Sequence, residues 1–260
     1  DFILEGWDLK KVPSPSFVLH LEMLEENLKT IDKVRKDAGV EVIMALKANA
    51  TWPIFPLLAE HSDGATASSL SEARLIAEEM KCKAHIYAPV YMEEEFEEIL
   101  SYSSHLTFNS LSQWKRYGER AMSAGVSCGL RINPEYSTVD TDLYNPCSPQ
   151  SRLGVRRDAL TDWPTGIEGL HFHALCESRP NDLYNTLRAV EEKFGHFFSS
   201  LKWINLGGGH LITHKDYDEN VLIEILKDFK SRHPHLRIIL EPGSAFTWDT
   251  GVLVSRVEDV

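Results

Sequence analysis

Strand-like and helix-like segments alternate along almost the whole chain, and that regularity restricts the possible folds more than any other feature. Strand-like segments lie at 42–46, 65–67, 85–87, 106–108, 127–132, 167–172, 203–206 and 237–240, the first a continuous apolar run. Runs without polar alternation read as strands buried on both faces, as in a parallel sheet. Between them, Leu21, Leu24, Leu28, Ile31 and Val34 repeat at helical spacing, and Gly39 is placed to end that helix. Helices are also predicted over 55–60, 70–80, 112–124 and 181–198, within 217–233, and in the acidic segment after Met92. Ser69 stands three residues before Glu72, the spacing of a capping box. Eight strands joined by helices or long crossovers predict an α/β fold, a closed (β/α)8 barrel of the TIM type. The crossover over 134–154 is long for a mere connection, which suggests a functional loop. The barrel is expected over 18–250, with 1–17 irregular and 251–260 outside it. The tail 252–257 is β-rich and reads as a strand without a partner, the start of a second domain.

Composition excludes several classes. A formal net charge of -12 disfavours nucleic acid and suits a small cationic substrate. No run of about eighteen apolar residues is present to span a membrane, and Asp1–Glu5 lack the basic and apolar segments of a signal peptide. Cys82, Cys128, Cys147 and Cys176 show no CxxC spacing, which points to a reducing cytoplasm and away from a structural zinc site.

In a barrel, chemistry gathers at the carboxyl ends of the strands. Those ends offer Lys47 after Val42-Ile43-Met44-Ala45-Leu46, then Ser68, Arg131, His171 and His173, Gly207-Gly208-Gly209, and Glu241. Each has a plainer reading as well. Lys47 could be a core-strand lysine reaching solvent, the glycines a tight turn, and Glu241 an ion-pair partner of Arg131. His171 and His173 face the same side of a strand, so they could also begin a metal site, although no further ligand set is evident. Taken together, a lysine, a glycine nest for phosphate, an imidazole to stack and a carboxylate suit pyridoxal phosphate. The carboxylate would keep the pyridine nitrogen protonated, as an electron sink for decarboxylation requires.

Ala45-Leu46-Lys47-Ala48-Asn49, Leu130-Arg131-Ile132-Asn133, Ser151-Arg152-Leu153-Gly154, His171-Phe172-His173, Gly207-Gly208-Gly209 and Glu241-Pro242-Gly243 resemble fold-type III pyridoxal-phosphate decarboxylases. That family includes the ornithine and diaminopimelate enzymes. Leu143-Tyr144-Asn145-Pro146-Cys147 and Ala174-Leu175-Cys176-Glu177 are most similar to its carboxynorspermidine (carboxyspermidine) branch. The resemblance implies Lys47 as the Schiff-base lysine and His173 as the ring-stacking histidine. It implies Gly207, Gly208 and Gly209 on the phosphate and Glu241 on the pyridine nitrogen, with Ser68, Arg131 and Arg152 as further cofactor contacts and Glu177 on the substrate's amines. Where ornithine decarboxylases have Gly-Ser after the histidine and an arginine after Glu-Pro-Gly, this chain has Leu175-Cys176-Glu177 and Ser244. The resemblance further implies a homodimer with shared active sites. It also implies a carboxy-terminal β domain largely absent from this chain, so that the chain alone would bind cofactor poorly. Alternatives are a non-catalytic carrier of the cofactor, a diaminopimelate-type decarboxylase and a metal-dependent hydrolase.

Overall fold

A computed structural model describes residues 6–139 and 141–260, so Asp1–Glu5, read above for a signal peptide, lie outside the described residues. The chain begins with strand β1 (Ser16–Leu19) and helix α1 (Leu21–Ala38). The apolar stripe of α1 buries Leu24, Leu28, Ile31 and Val34, and Gly39 ends the helix at φ 63°, where a side chain would be strained. The first barrel strand is split by Ile43 into β2 (Glu41–Val42) and β3 (Met44–Ala45). There follow α2 (Phe55–Glu60), β4 (Ala65–Ala67), α3 (Leu70–Leu75), β5 (Ala84–Tyr87), α4 (Glu93–Tyr102), β6 (Ser103–Phe108), α5 (Leu111–Ser123) and β7 (Ser127–Arg131). The second half holds β8 (Gly169–His171), α6 (Pro180–Phe194), β9 (Trp203–Asn205), α7 (Glu219–Arg232), β10 (Arg237–Leu240), α8 (Ser244–Thr247) and β11 (Gly251–Val254).

Strands β3 to β10 pair in sequence order, all parallel, and β10 pairs with β2. The split strand therefore bonds on both sides. Ile43 N–H donates to Leu240 O at 2.9 Å and Met44 N–H to Gly64 O at 3.0 Å. Counted as one strand, β2 and β3 close an eight-stranded barrel ringed by helices, as the alternation predicts.

Two expectations need correction. The tail is not without a partner: β11 pairs antiparallel with β1, Phe17 opposite Leu253, in a separate two-stranded ribbon. That pairing joins segments more than two hundred residues apart, which no local pattern reveals. The helix predicted over 70–80 is α-helical only to Leu75 and continues as a π-helical turn, Ile76–Met80. The long crossover between β7 and β8 carries 3₁₀ turns rather than an α-helix, and it is docked where Val155 bridges Ile132.

Alternate residues of each strand point into the barrel, so successive inward positions climb from its floor to its mouth. Ile43, Trp203 and Ile239 pack together inside the floor. Trp203 fits because Gly129 and Gly169 oppose it: a Cβ on either would collide with the indole. Two residues further along, the same strands present Arg131, His171, Asn205 and Glu241. The floor is an apolar plug and the mouth is polar. Among the described residues, no helix is long and apolar enough to cross a membrane.

Candidate active site

The mouth holds a pocket of about 350 Å³, part of it open to solvent, and Lys47, Thr66, Ser68, Glu72, Tyr87, Arg131, His171, His173 and Glu241 line it. Lys47 lies on a single 3₁₀ turn, Leu46–Ala48, directly after β3 rather than on the strand itself. Its charge acts on His171, His173 and Glu241.

Glu241 follows β10, and its N–H donates to Gly207 O at 2.8 Å. Its carboxylate is nearly enclosed. Asn205 Nδ2 donates to Oε1 at 2.6 Å, and His171 Nε2 stands 3.8 Å from Oε2. Burial raises the pKa of this acid above the usual carboxylate range, while Asn205 and the Lys47 charge pull it back. The partner in a plain ion-pair reading, Arg131, is engaged elsewhere. Its Nη2 donates to His173 O at 3.2 Å, and its guanidinium lies 4.7 Å from the centre of the Tyr87 ring.

His173 Nδ1 accepts from Gly208 N–H at 3.0 Å. Burial, then the Lys47 and Arg131 charges, push its pKa down to about 3, so the ring is neutral with its proton on Nε2. The glycine loop is packed as tightly as backbone allows. A Cβ on Gly207, Gly208 or Gly209 would strike the carbonyl oxygen of Phe172, Glu241 or Leu175 respectively. Two of its N–H groups serve the protein itself, Gly207 toward Asn205 Oδ1 at 2.9 Å and Gly208 toward His173.

Six residues singled out from sequence thus share one pocket: Lys47, Ser68, Arg131, His171, His173 and Glu241. The three glycines support it from behind. Arg152 is outside, its side chain exposed, although its carbonyl accepts from Asn109 Nδ2 at 2.9 Å. Glu177 is also outside, exposed at φ 44° beside a second cavity with Arg179 and Tyr217. Sequence reasoning missed Glu72, whose carboxylate accepts from Ser68 N–H and Oγ at 2.6 and 2.8 Å. The capping motif did signal it, since Ser69 Oγ accepts from Glu72 N–H at 3.2 Å. Tyr87 and Asn205 were missed too; a polar residue ending an apolar strand was the available signal.

Five histidines are held neutral by burial. His85 and His171 titrate well below the ordinary range, and His105, His173 and His210 near 4, 3 and 4 respectively. The unfolded chain takes up these protons near pH 6.5 while the folded one does not, so stability is full above that pH and falls as acid is added. Each such group removes up to about 1.4 kcal/mol per pH unit. Glu241, with its raised pKa, opposes them as a single group. Urea unfolding at pH 6.5 and pH 5.0 is expected to show a loss of at least about 3 kcal/mol; equal midpoints would contradict the neutral assignment.

Comparison with known proteins identifies the family. Residues 21–248 match the family described as pyridoxal-dependent decarboxylase, pyridoxal binding domain. A carboxyaminopropylagmatine decarboxylase of Synechocystis is 49% identical over 99% of this chain and 67% of its own length. A carboxynorspermidine/carboxyspermidine decarboxylase of Campylobacter jejuni is 39% identical over 96% of the chain and 65% of its own length. The crystal structure of carboxynorspermidine decarboxylase complexed with norspermidine, also from Campylobacter jejuni, superposes with a TM-score of 0.86 at 36% identity. It covers 95% of this chain and 65% of that one. The chain thus spans about two thirds of the length of the curated relatives it matches.

The residues present fit pyridoxal phosphate. The pocket holds a lysine, a neutral imidazole and an enclosed acid, and both ring nitrogens of His171 and Nε of Arg131 are buried there without a hydrogen-bond partner among the described residues. No group of three or more His, Cys, Asp or Glu able to hold a metal ion occurs among the described residues.

Proposed function

This chain belongs to the pyridoxal-dependent decarboxylases, and on that footing we propose that it removes the carboxyl group from a carboxylated polyamine. The candidates are carboxynorspermidine, carboxyspermidine and carboxyaminopropylagmatine. The observation that carries the reading is the convergence of Lys47, His173 and a buried Glu241 on one pocket backed by a side-chain-free loop. Bound pyridoxal phosphate supplies an electron sink for the pair left on carbon when carbon dioxide departs.

Lys47 would anchor the cofactor's aldehyde, and its ε-amine, when free, would hold a proton for return to the carbon that loses the carboxyl group. Glu241 would hold the proton at the ring nitrogen. His173, neutral and fixed through Nδ1, would cover one ring face and exclude water. Gly207, Gly208 and Gly209 would let backbone approach the phosphate, with Ser68 and Arg131 as further contacts in the pocket. Arg152 and Glu177, outside it, have no part in this reading. The acidic surface favours approach of a cationic substrate. In the cell the protein would act as a cytoplasmic homodimer with shared sites.

The test is carbon dioxide release by the full protein, loaded with pyridoxal phosphate, from those three substrates and from diaminopimelate. One carboxylated polyamine is expected to exceed diaminopimelate in kcat/KM by about 100-fold or more. Preference for diaminopimelate, or cofactor binding with no carbon dioxide release, as a mere carrier would show, overturns the proposal.

A further inference from the structure

We infer that Asn205 is a positioning residue, a single buried carboxamide that orients Glu241, locks it to the glycine loop and so acts on the cofactor's ring nitrogen. The inference rests on the reading of Glu241 as the partner of that nitrogen. Asn205 closes β9 and is 3% exposed. Its Nδ2 donates to Glu241 Oε1 at 2.6 Å, and its Oδ1 accepts from Gly207 N–H at 2.9 Å. A backbone bond repeats the link, Glu241 N–H to Gly207 O at 2.8 Å. The loop that faces the phosphate and the acid that faces the ring therefore move as one unit.

An amide is the side chain of this size that donates at one end and accepts at the other. A leucine would fill the volume but leave Gly207 N–H and Glu241 Oε1 without partners in a buried setting. The donor also holds one carboxylate oxygen in place. Oε1 is committed to Asn205, and His171 Nε2, 3.8 Å from Oε2, is too far to claim that oxygen. Thr66 also hydrogen-bonds this carboxylate, and the Lys47 and Arg131 charges act on it. The charge matters as well. An acid at 205 would meet Glu241 within hydrogen-bond distance, and two carboxylates so placed cannot both ionise freely. They would share one proton at low pH, restoring the donor, and lose it as pH rises. An asparagine keeps the donor at every pH.

The experiment uses the full protein and three variants, Asn205→Asp, Asn205→Leu and Asn205→Asp paired with Glu241→Gln. Affinity for pyridoxal phosphate and the absorption spectrum of the bound cofactor are followed from pH 6 to pH 9. Asn205→Asp is expected to resemble the parent at the acid end and to show a new transition on the alkaline side. The partner change Glu241→Gln, which restores a donor and acceptor in reversed order, removes that transition. Asn205→Leu is expected to bind cofactor about 10- to 100-fold more weakly at every pH. A residue that merely packed the strand would lower the melting temperature without adding any pH-dependent spectral change. A parent that binds the cofactor with Asn205→Asp titrating like it overturns this inference alone. A parent that fails to bind the cofactor overturns the proposed function and this inference with it.

Discussion

Lys47→Ala is expected to reduce decarboxylation by about a thousandfold or more, because the residue is both the cofactor's covalent anchor and the amine that returns a proton. The variant should fold normally. Lys47 is an exposed residue on a turn, and alanine loses no buried contact there. Cofactor should still enter the pocket, since the glycine loop, His173 and Glu241 are untouched, but dialysis should strip it. The measurement is kcat at saturating cofactor beside a thermal melt of the same preparation. Activity within tenfold of the parent would assign the amine to another residue. The snorkelling alternative would then apply, with Lys47 no more than a solvated cation at the end of a core strand.

Glu241→Gln separates catalysis from stability in the other direction. Its side chain is 11% exposed, and burial already pushes its pKa up. Removing the charge therefore removes a desolvation penalty, and the fold is expected to be as stable as the parent or more so. The substituted carboxamide can still accept from Asn205 Nδ2 through its oxygen, which turns its N–H₂ toward the pocket. A donor there cannot hold a proton on the ring nitrogen, so kcat is expected to fall about 100- to 1,000-fold. A variant with parental kcat would show that the carboxylate is structural. One with both activity and stability lost would show that the barrel end depends on its charge.

Local chemistry explains why parts of this molecule were legible in the sequence. Helix α1 is readable because its apolar positions keep one period over eighteen residues and Gly39 supplies the left-handed turn that ends it. The barrel strands are readable because both faces are buried, and closure follows from their number. Lys47, His173 and Glu241 were accessible for the same reason: a polar residue directly after an apolar strand has one place to go, the mouth. What was not legible depended on contacts distant in sequence. Ser16–Leu19 gives no hint that Gly251–Val254 will pair with it. Asn205 looked like part of a strand because its two partners lie one at the following loop and one thirty-six residues on. Arg131 illustrates a competing choice. Sequence position suits an ion pair with Glu241, yet the guanidinium settles over the Tyr87 ring and against the His173 carbonyl.

Glu177 and Arg152 stand outside the pocket, with exposed side chains. Both sit in segments that resemble the family, and Arg152 holds Asn109 through its backbone carbonyl. Their side chains nevertheless leave the pocket. A motif can be kept for what its backbone does.

Every role proposed for the pocket depends on the Lys47 amine taking up the cofactor's aldehyde. This step is tested most directly by treating the cofactor-loaded full protein with borohydride and mapping the modified peptide by mass spectrometry. One reduced pyridoxyl adduct is expected, located on Lys47 and absent from Lys47→Ala. An adduct on any other lysine, or none on a protein that retains decarboxylase activity, would contradict it.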